Sequence, residues 1–268
     1  MNADRDRALQ TIRMVLAADC CCDERAFDRD ALTVVPACNQ PGRRRFPLRA
    51  KDLQIVTMGV GVVVSCHPDR ITWIRSTLGG LGRDAIFSAP VLAELSSYVA
   101  RDRQYLDGPG LRFACSRDRV RPAPEADGIQ ITLVDDGGIA DLYRHPGFAE
   151  ALAYGRSPQR PDTIAAVARR GDQIVGIAAA SADSDALWQV GVHVLEPERR
   201  AGIGRAVVGR VTSAVLDRGK VPYYSTAVSN IASRSIAIDL GYWPAWTEVF
   251  VRDGVPNALV DARDVGSF

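Results

Sequence analysis

The sequence contains no Cys-x-x-Cys pair, no surplus of charge and no long apolar run. Each absence removes a class of protein. The six cysteines are Cys20, Cys21, Cys22, Cys38, Cys66 and Cys115. Without Cys-x-x-Cys spacing a zinc site has no anchor, and no metal is expected. Three of the six are consecutive, a poor disulfide framework, and the set fits a reducing cytoplasm. Cys66 and Cys115 stand in apolar stretches and read as buried small hydrophobes. Lysine and arginine total 33 against 32 acidic residues, a net charge of +1, which gives no electrostatic footprint for nucleic acid. The Arg43-Arg44-Arg45 run lies between Pro41-Gly42 and Pro47 and reads as a solvated loop. The longest apolar run, 55–66, is far short of the ~20 residues that cross a bilayer. The opening Met-Asn-Ala-Asp-Arg-Asp-Arg lacks the apolar centre of a secretory signal. A cytoplasmic protein without membrane partners is expected; an oligomer is left open.

What is present is ordinary globular material: 268 residues, 47% of them apolar, enough for two domains. Residues 121–128, with two prolines, a glycine and no apolar side chain larger than alanine, read as a linker. The expected division is an N-terminal mixed α/β module at 1–122 and a second domain at 123–268. In the second domain, residues 129–134 alternate as a strand. Residues 139–152 are broadly helical with a break at Pro146-Gly147. Residues 163–169 and 173–180 form a hairpin about Arg170-Gly171-Asp172. A strand at 187–194, a helix at 206–216, a strand at 221–226, a helix at 231–240 and a strand at 246–251 follow, with a loose tail at 253–268. In the first module, 5–18 is an amphipathic helix and 53–66 is β-rich. Helices start at His67-Pro68-Asp69 and at Ser88 before Pro90, and 111–115 is a short strand.

The segment Arg199-Arg200-Ala201-Gly202-Ile203-Gly204-Arg205 carries the strongest signal. It connects a strand to a helix, and the first amides of a helix have no partner inside it. The helix dipole adds partial positive charge there. Glycines at 202 and 204 keep side chains away from a phosphate, while Arg199, Arg200 and Arg205 bring fixed charge. A Walker loop is excluded because no Lys-Ser or Lys-Thr pair follows. A nicotinamide-dinucleotide fingerprint is disfavoured because Val207 holds its third glycine position and the strand at 221–226 has no carboxylate.

The remaining pattern, Arg-x-x-Gly-x-Gly, resembles the cofactor motif of the GNAT superfamily of acyl-CoA-dependent N-acyltransferases. The resemblance continues through the strand Tyr223-Tyr224-Ser225-Thr226, Asn230, and a helix ending at Gly241-Tyr242. It covers roughly 128–252. It implies an α/β (α+β) fold: a mixed, mostly antiparallel central sheet flanked by helices. It also implies acetyl-CoA as cosubstrate, held by Val192, Val194, Arg199, Arg200, Gly202, Ile203, Gly204, Arg205, Asn230 and Ser233. The first module lacks the motif and is assigned no cofactor.

Acyl transfer to an amine needs a polarised carbonyl, a neutral nucleophile and a proton for the leaving thiolate. Family members often place a catalytic Glu or His on the strand face that here carries Trp188 and Val190. Alternation puts His193 on the opposite face, with Gln189 and Gly191. His193 is the strand's one interior titratable group, and histidine is the side chain suited to a base near neutrality. It is therefore a candidate base, and a packed histidine otherwise. The family's tyrosine seven residues after the asparagine is replaced by Ala237, which leaves Tyr224, with Tyr242 behind it, as candidate acid. No Cys or Ser is placed for a covalent acyl-enzyme, so direct transfer is expected. The expected function is N-acetyl transfer to a small-molecule or protein amine. The alternative is a non-catalytic acyl-CoA-binding regulatory module.

Overall fold

The alternation of residues 162–194 builds the sheet that organises the region around the glycine turn. A computed structural model describes residues 3–45, 50–123, 125–152 and 160–254. In chain order its helices and strands are α1 (Ala3–Cys20), β1 (Leu32–Pro36), β2 (Leu53–Thr57), β3 (Val62–Cys66), α2 (Ile71–Leu78), α3 (Arg83–Ile86), α4 (Ala89–Ala100), β4 (Gln104–Ala114), β5 (Gln130–Asp135), α5 (Asp136–Leu142), β6 (Asp162–Arg170), β7 (Gln173–Ser181), β8 (Leu187–Val194), α6 (Ile203–Asp217), β9 (Val221–Ser225), α7 (Ile231–Asp239) and β10 (Trp243–Asp253). They fall into two compact units. The first comprises Met1–Asp19, Pro41–Leu48 and Leu111–Ala245; the second comprises Cys20–Gln40, Arg49–Gly110 and Trp246–Phe268.

In the first unit the strand order is β4-β9-β8-β7-β6-β5. The β5–β6, β6–β7, β7–β8 and β4–β9 pairs are antiparallel, and β8–β9 is parallel. This is the mixed, mostly antiparallel sheet with flanking helices that the resemblance implies. One face of the sheet, with Ala166, Ala168, Ala178, Ala180 and Val190, packs against Val207, Val211 and Val215 of α6. The strand alanines keep the helix close, and at Gly176 an added Cβ would lie 2.9 Å from Ile203 Cγ2. The other face, with Ala165, Val167, Ile177 and Ala179, is covered by Leu142, Phe148, Ala151 and Leu152. The helix expected at 139–152 is only α5 followed by a 3-10 turn at Pro146–Phe148, because the proline interrupts the ladder.

In the second unit β1-β3-β2-β10 lie in order, with Leu53, Ile55, Val64, Ile74, Leu95 and Val249 in its core. The β-rich stretch is the hairpin β2–β3, and Pro68 opens a 3-10 turn ahead of α2. β1 and α3 have no counterpart in the sequence reading.

Three expectations differ from the structure. The units do not divide at 122/123, since 111–122 lies inside the first unit and the chain re-enters the second at Trp246. Residues 121–128 are consequently packed: Arg121 N donates to Leu240 O, Ala126 is buried, and an added Cβ at Gly209 would lie 2.5 Å from Ala123 Cβ. The arginine run is not a solvated loop. Arg44 is buried, its backbone N 2.6 Å from Asp19 Oδ1 and its guanidinium paired with the same carboxylate, and Arg45 pairs with Asp185. Cys21 and Cys38 form a disulfide, which the cysteine triplet concealed. Cys66 and Cys115 are free and buried, as expected. The expected tail lies almost wholly outside the described residues.

Candidate active site

The site begins where two parallel strands part. β8 and β9 are in register from Leu187↔Val221 to Val190↔Tyr224. β8 then runs four residues further, paired with β7 alone, through Val192↔Ala178, His193↔Ile177 and Val194↔Gly176. The β9-facing backbone groups of 191–194 have no strand partner among the described residues. Such groups bind whatever polar ligand lies between the strands.

That free edge leads into the glycine turn. Arg199 follows a 3-10 turn at Glu196–Glu198, and its Nε donates to Val194 O over 3.1 Å. Arg200 and Gly202 both have positive φ, 69° and 79°, and Gly202 is the N-cap of α6 without a side-chain cap. A Cβ on Gly202 would point into open space. The first bond of α6 is Ala206 N to Gly202 O, so the amides of Ile203, Gly204 and Arg205 have no acceptor within the helix. Ile203 is buried in the core, and Gly204 lies against Ile236 and Val194. Arg205 is 3.6 Å from Asp239. Val192 and Val194 pack on the α6 face.

Tyr224, the last residue of β9 paired with β8, reaches α7. Its hydroxyl is 2.6 Å from Ser233 Oγ, and Asn230 Oδ1 caps the helix by accepting from Ser233 N at 3.0 Å. Asn230, Ser233 and Tyr224 are thus one connected group. Burial raises the Tyr224 hydroxyl above the usual range; the Ser233 hydrogen bond opposes this, and the Glu150 charge adds to it. The hydroxyl therefore stays protonated at neutrality. Ala237, where the resemblance puts a tyrosine, is fully buried. Tyr242 is occupied by Thr212, 2.7 Å away. Trp188 and Val190 are core residues, so a carboxylate on that face would be buried without a partner.

His193 lies on the opposite face, as the alternation predicts. Its side chain is 20% exposed, and its ring meets Phe148 edge-on at 5.8 Å. Nδ1 is 3.2 Å from Glu150 Oε2 but is not aligned as a hydrogen bond, so the approach is electrostatic proximity. Gly191 makes it possible: a Cβ there would lie 2.9 Å from Glu150 O and 3.2 Å from Ala151 O. Only glycine lets that backbone rest on β8.

Towards the start of β8 the same face carries a buried polar network. Arg160 pairs with Asp183 and donates to Gln189 at 2.5 Å. The Tyr223 hydroxyl donates to Asp183 and lies 3.0 Å from Gln189 Oε1. Asp162 accepts from the Tyr143 hydroxyl at 2.6 Å. Burial pushes the Asp162 carboxyl up to about 6, opposed by the Tyr143 hydrogen bond and by Arg160.

Residues 138–242 match the model of the acetyltransferase (GNAT) family. The matched segment is less than half of the chain and holds β6, β7, β8, α6, β9 and α7. Solved structures similar to it include a GCN5-related N-acetyltransferase from Kribbella flavida, at 21% identity and TM-score 0.45, over 62% of this chain and 65% of that one. The match therefore spans slightly less than two thirds of the Kribbella protein. A GCN5-related N-acetyltransferase-like protein from Streptococcus suis aligns at 18% identity and TM-score 0.45, over 60% of this chain and 68% of that one. A putative GNAT-family acetyltransferase from Novosphingobium aromaticivorans aligns at 16% and TM-score 0.40, over 57% and 69%. No curated protein matches the sequence.

Sequence reasoning missed Glu150, Asp162 and the Arg160–Asp183–Tyr223–Gln189 network. Gly191 was the available signal for Glu150: a glycine amid a β-branched strand marks a close backbone approach. The network has no such signal, because its members come from β8, β9 and two loops.

Proposed function

We propose that the GNAT domain transfers an acetyl group from acetyl-CoA to the amine of a small molecule or a protein. The observation carrying this reading is the end of β8–β9 pairing at Val190 and Tyr224, on a strand that continues into an uncapped, glycine-lined helix start. In this reading the pyrophosphate lies at the amides of residues 203–205 with Arg199 and Arg200 around it. The pantetheine arm follows the free edge of 191–194, and the thioester sits in the split beside Tyr224. Asn230 and Ser233 border the arm.

The chemistry follows from these positions. His193 takes a proton from the amine, whose lone pair attacks the thioester carbonyl carbon. The C–S bond breaks, and the thiolate takes a proton from Tyr224, which Ser233 can resupply through their shared hydrogen bond. Transfer is direct. Burial drives the Cys115 thiol up to about 12, far from a nucleophilic thiolate, and the Ser233 hydroxyl is committed to Tyr224.

The test is release of free CoA from acetyl-CoA, measured across a panel of amines alongside acetyl-CoA affinity by calorimetry. Amine-dependent release supports the reading. Binding without release would favour a regulatory acyl-CoA-binding module, to which the buried Trp188, Val190 and Ala237 also point. Absence of binding would refute both.

A further inference from the structure

Residues 20–40 are an excursion of the chain bracketed by two cross-links. The chain leaves the first unit after Asp19 and returns to it at Pro41. Within the excursion Cys21 and Cys38, 17 residues apart, form a disulfide. Just outside it the buried side chains of Asp19 and Arg44 pair with each other. The disulfide closes the loop that carries β1. That strand ends the strand order and pairs with β3 alone among the described strands. An edge strand held on one side belongs to the parts of a fold that open most readily, and a cross-link that closes its loop limits that opening.

Two features mark this disulfide as reactive. Cys38 is exposed and Cys21 half-buried, and exposed disulfides are the labile ones. Cys21 also has φ 57°, a left-handed conformation that a residue with a Cβ adopts at a cost. The neighbouring thiols do not compete for the bond. Burial pushes the Cys22 thiol up to about 12, and the Asp23 charge adds to this; a thiol that stays protonated does not attack a disulfide. Cys20 is buried. An external thiol that reaches Cys38 therefore has one bond to act on.

We propose that Cys21–Cys38 is a reversible redox site for small thiols of the glutathione class, and that its reduction releases the β1 edge. A glutathione thiolate attacks the Cys38 sulfur, the S–S bond breaks, and the leaving Cys21 thiolate takes a proton from water. A second glutathione thiolate attacks the glutathione sulfur of the mixed disulfide, and Cys38 leaves as a thiolate that is protonated in turn. The protein gains two electrons and two protons, and two glutathione thiols become one glutathione disulfide. The Asp19–Arg44 pair lies outside the opened loop. It keeps the loop ends together, so the same two cysteines re-pair on oxidation.

The experiment equilibrates the full chain in buffers running from oxidised to reduced glutathione, then reads each cysteine by alkylation under denaturing quench and peptide mass. The expected result is a single transition in which Cys21 and Cys38 become alkylated together, while Cys20, Cys22, Cys66 and Cys115 are alkylated throughout. Hydrogen exchange on the same samples should be at least about tenfold faster at 32–36 in the reduced form and unchanged at 173–181 in β7. Returning the reduced protein to oxidised glutathione should restore both readings. A pair that stays bonded in fully reduced glutathione would overturn the proposal and leave a purely structural cross-link. A pair that stays reduced in oxidised glutathione, a bridge from Cys20 or Cys22 instead of Cys21, or exchange at 32–36 that ignores the redox state would overturn it equally. None of these readings involves acetyl-CoA, so their outcome is separate from that of the acetyl-transfer reading.

Discussion

Tyr224 and His193 occupy opposite faces at the strand split, and the proposed mechanism gives them opposite tasks. Tyr224 is buried, hydrogen-bonded to Ser233 and held protonated, which suits a donor. His193 is partly exposed and lies beside a carboxylate, which suits an acceptor. Tyr224→Phe removes one oxygen and keeps the ring packed against Tyr242, 6.0 Å away. It should lower kcat roughly 10²-fold while leaving acetyl-CoA affinity intact. His193→Gln should lower kcat by a similar factor, with a modest loss of melting temperature from the Phe148 contact. Steady-state rates and melting curves on the same preparations check both. If His193→Gln lost stability but kept its per-molecule turnover, His193 would be a packing residue only.

At the scale of elements, β8 is the organising strand. The network on its early residues ties it to β9 through Tyr223 and to the loops bearing Arg160 and Asp183. Asp162 gives this network a pH signature. Its folded pKa is raised, from 3.8 to about 6, so between those values the native state holds a proton that the unfolded chain has released. Stability therefore falls as pH rises through that window and levels off above it. At 1.36 kcal/mol per unit the limit is roughly 3 kcal/mol. Asp162→Asn should flatten the fall, so that wild type and variant differ more at pH 7 than at pH 4.5 in thermal melts. A wild-type melting temperature that rises from pH 4.5 to 7 in parallel with the variant's would contradict this.

Much of this element scale was legible in the sequence. β8 was read at its observed bounds, and the β6–β7 hairpin, α6, β9 and α7 emerged from periodicity with ends shifted by a few residues. Periodicity reports which side of an element is buried, which is what these segments display. The glycine turn was legible because it is contiguous. Glu150, Asp162 and the Arg160–Asp183 pair were not, because their roles come from residues distant in sequence meeting in three dimensions. Arg44 misled for the same reason: its partner is Asp19, at the far end of a helix.

At the scale of the whole molecule, the chain enters and leaves each unit more than once, and no composition shift marks such interleaving. This has a consequence for truncation. Residues 124–268 lack Phe113 and Cys115 of the first unit's core and the β4 residues that pair with β9. That fragment should fail to give a cooperative thermal transition where the full chain gives one, because burying a large side chain contributes about 1.5–3 kcal/mol and folding margins are narrow. A cooperative melt from the fragment would show that these contacts are dispensable.

The central claim is that acetyl-CoA is held at the start of α6, and calorimetry with Gly204→Glu tests it most directly. Gly204 has only side-chain atoms near its missing Cβ, the closest being Ile236 Cδ1 at 3.1 Å, so a folded variant is expected and a melting curve checks it. A glutamate there places bulk and negative charge where the pyrophosphate would lie. The prediction is micromolar-range acetyl-CoA binding by the wild type, weakened at least about a hundredfold in the folded variant. Equal affinity in a folded Gly204→Glu protein would contradict the account.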